Sequence, residues 1–176
     1  MIDVILVNET DEEVGRCEKM LAHEEGLLHR AFSIFLFNRD GEMLLHKRAL
    51  SKYHSGGLWT NACCSHPMPG IPVEYTLQEK LKQEMGFQCP LQFSFSFIYK
   101  AALDNNLTEH ELDHVYIGEY NGTPIPNPEE VCDWRYFPIQ DIYNLIDKHP
   151  ELFTEWFKIA FPQVVQNIEK KYQWAS

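Results

Sequence analysis

The sequence predicts one α/β domain in which a mixed β-sheet packs against helices as a sandwich. Two observations lead to this fold class. Short apolar runs bounded by turn residues recur through residues 1–137, and they surround a segment whose apolar residues repeat every four positions. A final helical segment then closes one side, which is typical of α/β sandwiches. The 176 residues contain no repeat and no long linker, so we expect a single domain over residues 1–176.

Strands dominate the prediction for the first third of the chain. Residues 1–8 contain no basic residue and only a short apolar run, which favours a first strand over a signal peptide. Residues 31–37 are almost wholly apolar and predict a central strand. The Asn-Arg-Asp-Gly segment at 38–41 predicts a hairpin turn, and residues 42–48, Glu-Met-Leu-Leu-His-Lys-Arg, predict the return strand. Residues 58–65 are predicted as another strand, and a loop rich in proline closes it.

A helix is predicted over residues 73–85, with Gly86 as its C-terminal stop. Lys80 and Glu84 are four residues apart, so a cation and a carboxylate share one helical face beside the buried stripe. The apolar positions of that stripe are Val73, Leu77, Leu81 and Met85.

The rest of the chain is predicted to contain three strands and a terminal helix. Residues 93–101, 112–120 and 131–137 have the composition of strands. Residues 152–172 have helical periodicity, and Pro162 is expected to interrupt that helix.

The charge and the cysteine count narrow the function class. A net charge of −11 disfavours nucleic acid as the main partner, because a phosphate backbone needs a basic face. No apolar stretch is long enough to span a bilayer. The five cysteines are odd in number and lack paired spacing, so we expect free thiols and a cytoplasmic location. Basic residues around Arg48 and Lys52 would suit a small phosphorylated ligand, although each of them is also explained as a solvated surface charge.

A thiol and an imidazole lie two residues apart in the Thr-Asn-Ala-Cys-Cys-Ser-His-Pro segment at residues 60–67. Neighbouring side chains of a strand point to opposite faces, so Cys64 and His66 share a face and Cys63 points away from it. Taken alone, two buried apolar cysteines and a turn histidine explain the segment. Histidines and carboxylates elsewhere in the chain favour a functional interpretation.

Three histidines and two glutamates make up a candidate donor set for a metal ion. Glu109 and Glu111 are two residues apart at the start of a strand, so both carboxylates point the same way. Together with His23, His29 and His66 they suffice for an octahedral centre with one position left for water or substrate. Spacing alone does not show that the five converge, because the sequence contains no local metal motif with two histidines at helical spacing.

Short segments along essentially the whole chain match the pattern of one known family in the same order. They are Glu18-Lys19 with His23, His29 to Phe32, Lys47 to Lys52, Gly57 to Asn61, Cys64 to Pro67, Glu84 to Gly86, Tyr99, Glu109 to Glu111, and Trp156. Together they make the chain resemble the type I isopentenyl-diphosphate Δ-isomerases. The resemblance implies a Nudix-type α/β/α sandwich with a mixed sheet. It also implies that the protein interconverts isopentenyl and dimethylallyl diphosphate by metal-dependent protonation and deprotonation, in isoprenoid biosynthesis.

The resemblance also implies roles for individual residues. Cys64 and Glu111 correspond to the catalytic cysteine and glutamate on opposite faces of the substrate, and Tyr99 to a catalytic aromatic residue. Glu84 and the Cys64 carbonyl correspond to the groups that hold Mg²⁺ on the substrate diphosphate. Mn²⁺, Zn²⁺ or Mg²⁺ would occupy a second site, whose ligands correspond to His23, His29, His66, Glu109 and Glu111. Residues that would contact the substrate are Lys19, Arg48, Lys52, Lys80 and Trp156.

The expected partner is a small prenyl diphosphate, not a nucleic acid or a membrane, and the chain is expected to act as a monomer. A structural role for Trp156 in an amphipathic helix stays open. The spacing of His23 and His29 differs from the family pattern, in which the loop between the matching histidines can be one residue longer.

Two other functions stay open, namely a Nudix-fold diphosphate hydrolase and a non-catalytic protein that binds metal or prenyl diphosphate. The hydrolase signature calls for an Arg-Glu pair followed by two adjacent glutamates on a helix. This chain reads Glu-Lys-Leu-Lys-Gln-Glu at residues 79–84. The missing carboxylates disfavour the hydrolase, and a hydrolase would not depend on Cys64.

Overall fold

The computed structural model describes residues 3–173, and the centre of the fold is a nine-stranded mixed β-sheet. Its strands are β1 (Asp3–Val7), β2 (Glu13–Glu18), β3 (His29–Phe37), β4 (Met43–Arg48), β5 (Trp59–Thr60), β6 (Cys63–Ser65), β7 (Leu91–Ala102), β8 (Thr108–Glu119) and β9 (Val131–Phe137).

Four α-helices accompany the sheet within the described residues. They are α1 (Lys19–Glu25), α2 (Val73–Met85), α3 (Ile139–Lys148) and α4 (Glu155–Gln173). None of these helices has the length and apolar character needed to cross a bilayer.

Strand β3 lies at the centre of the sheet because its residues are almost all apolar and buried. It runs parallel to β8 with nine paired positions from His29 to Phe37. It is antiparallel to β1, β4 and β6. Strand β7 pairs with β8, whereas β5 and β9 pair with β4. The parallel register places His29 opposite Glu111, which brings two predicted metal ligands to one end of the sheet.

The two faces of β3 pack against different helices. Phe32, Ile34 and Leu36 belong to a core cluster with residues of α2, and we call this side the α2 face. Phe35 belongs to a second cluster with residues of α4, and we call this side the α4 face. Because side chains alternate along a strand, Ser33 lies on the α4 face.

Several predicted elements are confirmed. Helix α2 covers the predicted residues 73–85, and Gly86 ends it with a φ of +83°. Strand β9 covers the predicted residues 131–137. The hairpin between β3 and β4 turns at Gly41, which has a φ of +77°. The predicted first strand is β1, and Met1 and Ile2 of that prediction lie outside the described residues.

The strand predicted over 58–65 is wrong, because the chain forms two short strands there. Strand β5 pairs with β4 and β6 pairs with β3, so the chain crosses between two neighbours at residues 61–62. The amide nitrogen of Asn61 donates to the carbonyls of Ile34 and Cys63, at 3.1 and 2.9 Å. The Asn61 side chain thus supplies hydrogen bonds to backbone carbonyls at the point where strand pairing is interrupted.

The interruption predicted at Pro162 is also wrong, because α4 continues from Glu155 through Gln173 with Pro162 inside it. A proline removes one N–H donor from a helix. Phe157, Phe161 and Val164 on the same helix are completely buried in the core cluster of the α4 face. Tertiary packing therefore holds the helix together across the proline.

Candidate active site

A polar cavity of about 260 Å³ opens beside the N-terminal half of β3. All the predicted site residues except His23 and His29 line it, and these two histidines are completely buried next to it. The predicted residues on its walls are Lys19, Arg48, Lys52, Cys64, His66, Lys80, Glu84, Tyr99, Glu109, Glu111 and Trp156.

The thiol of Cys64 is held by three neighbours on the α4 face. It donates to Asn61 Oδ1 at 3.0 Å and accepts from Trp156 Nε1 at 3.1 Å, and Ser33 Oγ lies 3.6 Å away. Burial, with the negative charge of Asp113 behind it, raises the pKa of this thiol to about 12. Cys64 therefore stays protonated in the metal-free protein, with its S–H directed at Asn61 Oδ1 and its side chain on the cavity wall.

Cys63 lies on the other side of the same strand. It is completely buried among apolar residues of the α2 face, such as Leu77 and Leu81, and its thiol also contacts Glu84. Cys64 and His66 line the cavity together, as strand alternation predicts.

The histidines near Glu111 present their Nε2 atoms to one another. His23 Nδ1 lies 2.7 Å from the Lys19 carbonyl, and His29 Nδ1 lies 2.8 Å from the Leu27 carbonyl. Each Nδ1 therefore carries the ring proton and donates it to a carbonyl. Each Nε2 is left with a free lone pair, which is the arrangement found in histidine metal ligands.

The contacts among these Nε2 atoms fit a divalent metal ion. His29 Nε2 and His66 Nε2 are 3.2 Å apart, and they lie 3.4 and 3.0 Å from Glu111 Oε1. His23 Nε2 is buried without any hydrogen-bond partner. Ligand atoms of these four residues all lie within 4.8 Å of one another. Lone pairs and a carboxylate gathered so closely are stabilised by a cation between them, and mixed nitrogen and oxygen donors suit several divalent metals.

Tyr99 connects the two glutamates. Its hydroxyl oxygen lies 2.8 Å from Glu109 Oε2 and 2.7 Å from Glu111 Oε2. Burial and the charge of Glu111 raise the pKa of Glu109. Burial also acts to raise the pKa of Glu111, but the neighbouring imidazoles of His29 and His66 outweigh it and hold that pKa well below its usual value. A phenol has a single proton, so Tyr99 can donate to only one carboxylate at a time, and the ionised Glu111 is the stronger acceptor.

Several basic residues line the cavity, although the chain as a whole has a net charge of −11. The Arg48 guanidinium lies 5.3 Å from the Trp156 ring, and its Nη2 donates to the His54 carbonyl at 3.3 Å. Arg48 Nε is buried without a partner. Lys52 forms an ion pair with Glu130. Such a cluster of cations fits an anion with several oxygens, such as a diphosphate.

Glu84 and Lys80 reach the cavity from the same side of α2, as their helical spacing predicts. Burial and the charge of Glu130 raise the pKa of Glu84 to about 7. A carboxylate with such a pKa gains stability in its charged form when a cation approaches it. Glu84 is thus able to hold a divalent ion at this end of the cavity.

The structure adds residues that the sequence analysis did not identify as site residues. Asn61, Ser33 and Asp113 surround or support Cys64, and Glu130 lines the cavity beside Lys52. His54 is buried in the cavity wall, 3.5 Å from Glu109. Asn61 and Ser33 lie near motifs that the sequence displays, whereas nothing in the local sequence distinguishes His54.

Comparisons with known proteins show the family to which the chain belongs. A model of the NUDIX domain matches residues 27–157. A protein of Photorhabdus laumondii named isopentenyl-diphosphate Delta-isomerase 2 is 48% identical over 155 residues, which cover 88% of each chain. The chain belongs to the Nudix-fold isopentenyl-diphosphate Delta-isomerases. Another member of this isomerase family, from Aliivibrio fischeri, is 40% identical over 178 residues, with 95% of this chain and 97% of that protein covered.

Two solved structures superpose on most of this chain. The Deinococcus radiodurans protein DR0079 superposes with a TM-score of 0.68 at 19% identity, over 84% of this chain and 90% of that one. The MutT protein of Methanosarcina mazei superposes with a TM-score of 0.65 at 13% identity, over 79% of this chain and 94% of that one. At these identities the likeness concerns the fold alone.

Proposed function

We propose that this enzyme interconverts isopentenyl diphosphate and dimethylallyl diphosphate by moving a carbon–carbon double bond. The observation that carries the proposal is a buried thiol, Cys64, and a buried carboxylate, Glu111, on the walls of one cavity. Cations from Lys19, Arg48 and Lys52 line the same cavity. An acid and a base beside an anion-binding wall are what this reaction requires.

The reaction needs one proton added and another removed. When a proton adds to the terminal methylene carbon, the π electrons form the new C–H bond and a positive charge develops on the neighbouring tertiary carbon. Loss of a proton from the carbon on the other side returns an electron pair as the new double bond. We assign these transfers to Cys64 and Glu111, with Tyr99 moving protons to and from Glu111.

The surroundings of Cys64 support an acid/base role. Its thiol hydrogen is directed at Asn61 Oδ1, and the indole N–H of Trp156 donates to its sulfur. The Trp156 N–H would stabilise the sulfur after proton loss. The aromatic ring of Trp156 also excludes water and can stabilise a nearby positive charge.

Two cation sites follow from the donor sets. We assign a magnesium ion, bound with the substrate diphosphate, to Glu84 and the Cys64 carbonyl. We assign a second divalent ion, Mn²⁺, Zn²⁺ or Mg²⁺, to His23, His29, His66, Glu109 and Glu111. A bound ion there would fix the position of Glu111 and change its proton affinity.

The basic wall would hold the diphosphate. Arg48 has a buried Nε without a partner, so it has hydrogen-bonding capacity available for an anion. Lys19 lies over the Tyr53 ring at 5.0 Å, and Lys80 and Lys52 also line the cavity. We assign diphosphate binding to these four cations, and a place beside the isoprenoid carbons to Trp156.

We also propose that the enzyme serves isoprenoid biosynthesis in the cytoplasm. All five cysteines are free, which supports a reducing compartment.

Product analysis tests the proposed function. The purified protein is incubated with magnesium and isopentenyl diphosphate, and proton NMR follows the vinyl signals. Dimethylallyl diphosphate should form without release of phosphate. A parallel phosphate assay uses nucleoside diphosphate derivatives. Phosphate release from those compounds with unchanged isopentenyl diphosphate would replace the isomerase with a hydrolase, and binding without any turnover would leave a non-catalytic protein.

A further inference from the structure

We propose that His54 is a further ligand of the histidine and glutamate metal centre, and that this centre is therefore closed to the substrate. The inference rests on the metal centre of the proposed function and adds a fourth imidazole to it. No local motif marks His54 as a ligand in the sequence.

The His54 side chain is buried, and its Nε2 faces Glu109 of the metal centre. Its side chain is only 4% exposed, and its Nε2 lies 3.5 Å from Glu109 Oε1. Its Nδ1 lies 3.2 Å from Ser55 Oγ, which gives this nitrogen a partner and leaves Nε2 directed at the carboxylate. His23 and His29 show the same arrangement, with Nδ1 bound to an oxygen and Nε2 directed inward. A partner on Nδ1 orients the ring and leaves Nε2 as the atom available to an ion.

His23 connects His54 to the rest of the centre. Ligand atoms of His23, His54 and Glu109 lie within 4.8 Å of one another, and His23 also belongs to the group with His29, His66 and Glu111. His23 Nε2 is completely buried and has no hydrogen-bond partner, so a buried lone pair is left for an ion at the meeting point of both groups.

Taken together, the two groups contain six donor residues. Four imidazole nitrogens and two carboxylates supply six donors, the number that an octahedral ion accepts. Five donors would leave one position for water or substrate, whereas six leave none. The ion would then act by holding Glu109 and Glu111 in place, and the substrate would meet the protein residues and not the metal.

The surroundings of His54 also link the metal centre to the basic wall. Arg48 Nη2 donates to the His54 carbonyl at 3.3 Å. The His54 ring contacts Tyr53 edge-on at 4.4 Å between centroids and Trp156 at 5.9 Å. These contacts fix the ring from two sides, so the loop that carries the diphosphate contacts also carries a metal ligand.

Cadmium NMR counts the ligating imidazoles directly. The whole chain is labelled with ¹⁵N-histidine, freed of metal and loaded with one equivalent of ¹¹³Cd²⁺. Each histidine that binds cadmium gives a one-bond nitrogen–cadmium coupling. We expect four coupled histidines in the unchanged protein, and three would overturn the proposal. This measurement needs no variant and no substrate.

Two variants assign the fourth coupling. His54→Gln should leave three coupled histidines and weaken cadmium affinity by at least about tenfold. His114→Gln is the control, because His114 pairs with Asp11 and belongs to neither donor group. The His114→Gln variant should keep all four nitrogen–cadmium couplings. An unchanged count in His54→Gln would overturn the proposal.

The two proposals fail separately. Absence of any cadmium binding in the unchanged protein would remove the metal centre and the role of His54 together. The isomerase proposal would still be decided by product analysis, which does not depend on the number of imidazoles.

Discussion

The two faces of the central sheet differ in what they bury. On the α2 face, Phe32, Ile34 and Leu36 of β3 are completely buried among apolar neighbours. On the α4 face of the same strand, His29 and Ser33 are buried against carboxylates. One residue along the strand separates the two environments. A shift of one residue in register would exchange them, so the apolar face also fixes the polar one in place.

The difference shows where stability and chemistry reside. Apolar burial on the α2 face contributes favourable free energy of folding. Burial of charged and polar groups on the α4 face costs free energy unless each group finds a partner, and Asp113 Oδ1 has none. The α4 face thus keeps a functional arrangement that the rest of the core stabilises.

The adjacent cysteines provide the sharpest test of this difference. Cys64→Ala should reduce isomerisation by about 10²- to 10⁴-fold, because it removes a proton-transfer group. Cys63→Ala should retain most of the activity, because Cys63 packs against apolar residues of the α2 face. Turnover of isopentenyl diphosphate by both purified variants measures this. An inactive Cys63→Ala beside an active Cys64→Ala would contradict the assignment of the two faces.

A second pair of variants separates stability from activity. Leu81→Ala, on the α2 face, should lower the free energy of unfolding by about 2–5 kcal/mol, because Leu81 is completely buried. Turnover per folded molecule should stay nearly unchanged. Glu111→Gln should stop turnover, since an amide can still coordinate a metal but cannot accept a proton. Urea unfolding and activity are measured on both proteins, and a large activity loss in folded Leu81→Ala would show that the faces are not separable.

The stability of the fold should depend on pH through one histidine on each side of the sheet. His66 lines the cavity, and His46 of β4 lies on the α2 face with its Nδ1 3.1 Å from the Ala62 carbonyl. Burial lowers the pKa of His66 to about 4, and burial together with the charge of Arg48 lowers that of His46 to about 3. Both values lie below 6.5, so the unfolded chain takes up protons first and stability falls as the pH drops below 6.5. At pH 5 the loss should reach about 2 kcal/mol for each histidine in metal-free protein.

A divalent ion should make this pH dependence steeper through His66 and not through His46, because protonation of a ligand must release the ion. Urea unfolding at pH 7 and pH 5, with chelator or with manganese, measures the effect. His46→Gln should flatten the pH dependence equally under both conditions. If His66→Gln kept the full stabilisation by manganese, His66 would not be a ligand.

The sequence predicted best where burial follows a simple period. Helix α2 has a buried stripe repeating every four residues and ends at Gly86, where a Cβ would lie 2.2 Å from the Ile125 carbonyl oxygen. Strand alternation likewise placed Cys64 with His66, and helical spacing placed Lys80 with Glu84.

Helix α3 was not predicted, although Ile139, Ile142 and Ile146 follow helical spacing and contact the core. Strand β2 and helix α1 lack such a period and were not predicted either. Strand β2 has no fully buried residue, and α1 has only seven residues, with Ala22 and His23 buried. Neither presents an apolar stripe to read.

The role of His54 was not predicted for another reason. A loop brings His54 to Glu109, and the two residues are 55 positions apart in the chain. Long-range contacts of this kind depend on the tertiary fold and leave no local pattern.

Turnover in heavy water tests the central claim, that Cys64 and Glu111 exchange protons with the substrate in the cavity. With magnesium and isopentenyl diphosphate, the unchanged protein should give dimethylallyl diphosphate that carries deuterium, because both groups exchange protons with the solvent between turnovers. Cys64→Ala and Glu111→Gln should form deuterated product at least about 10²-fold more slowly. Product without deuterium, or full turnover in either variant, would contradict the account.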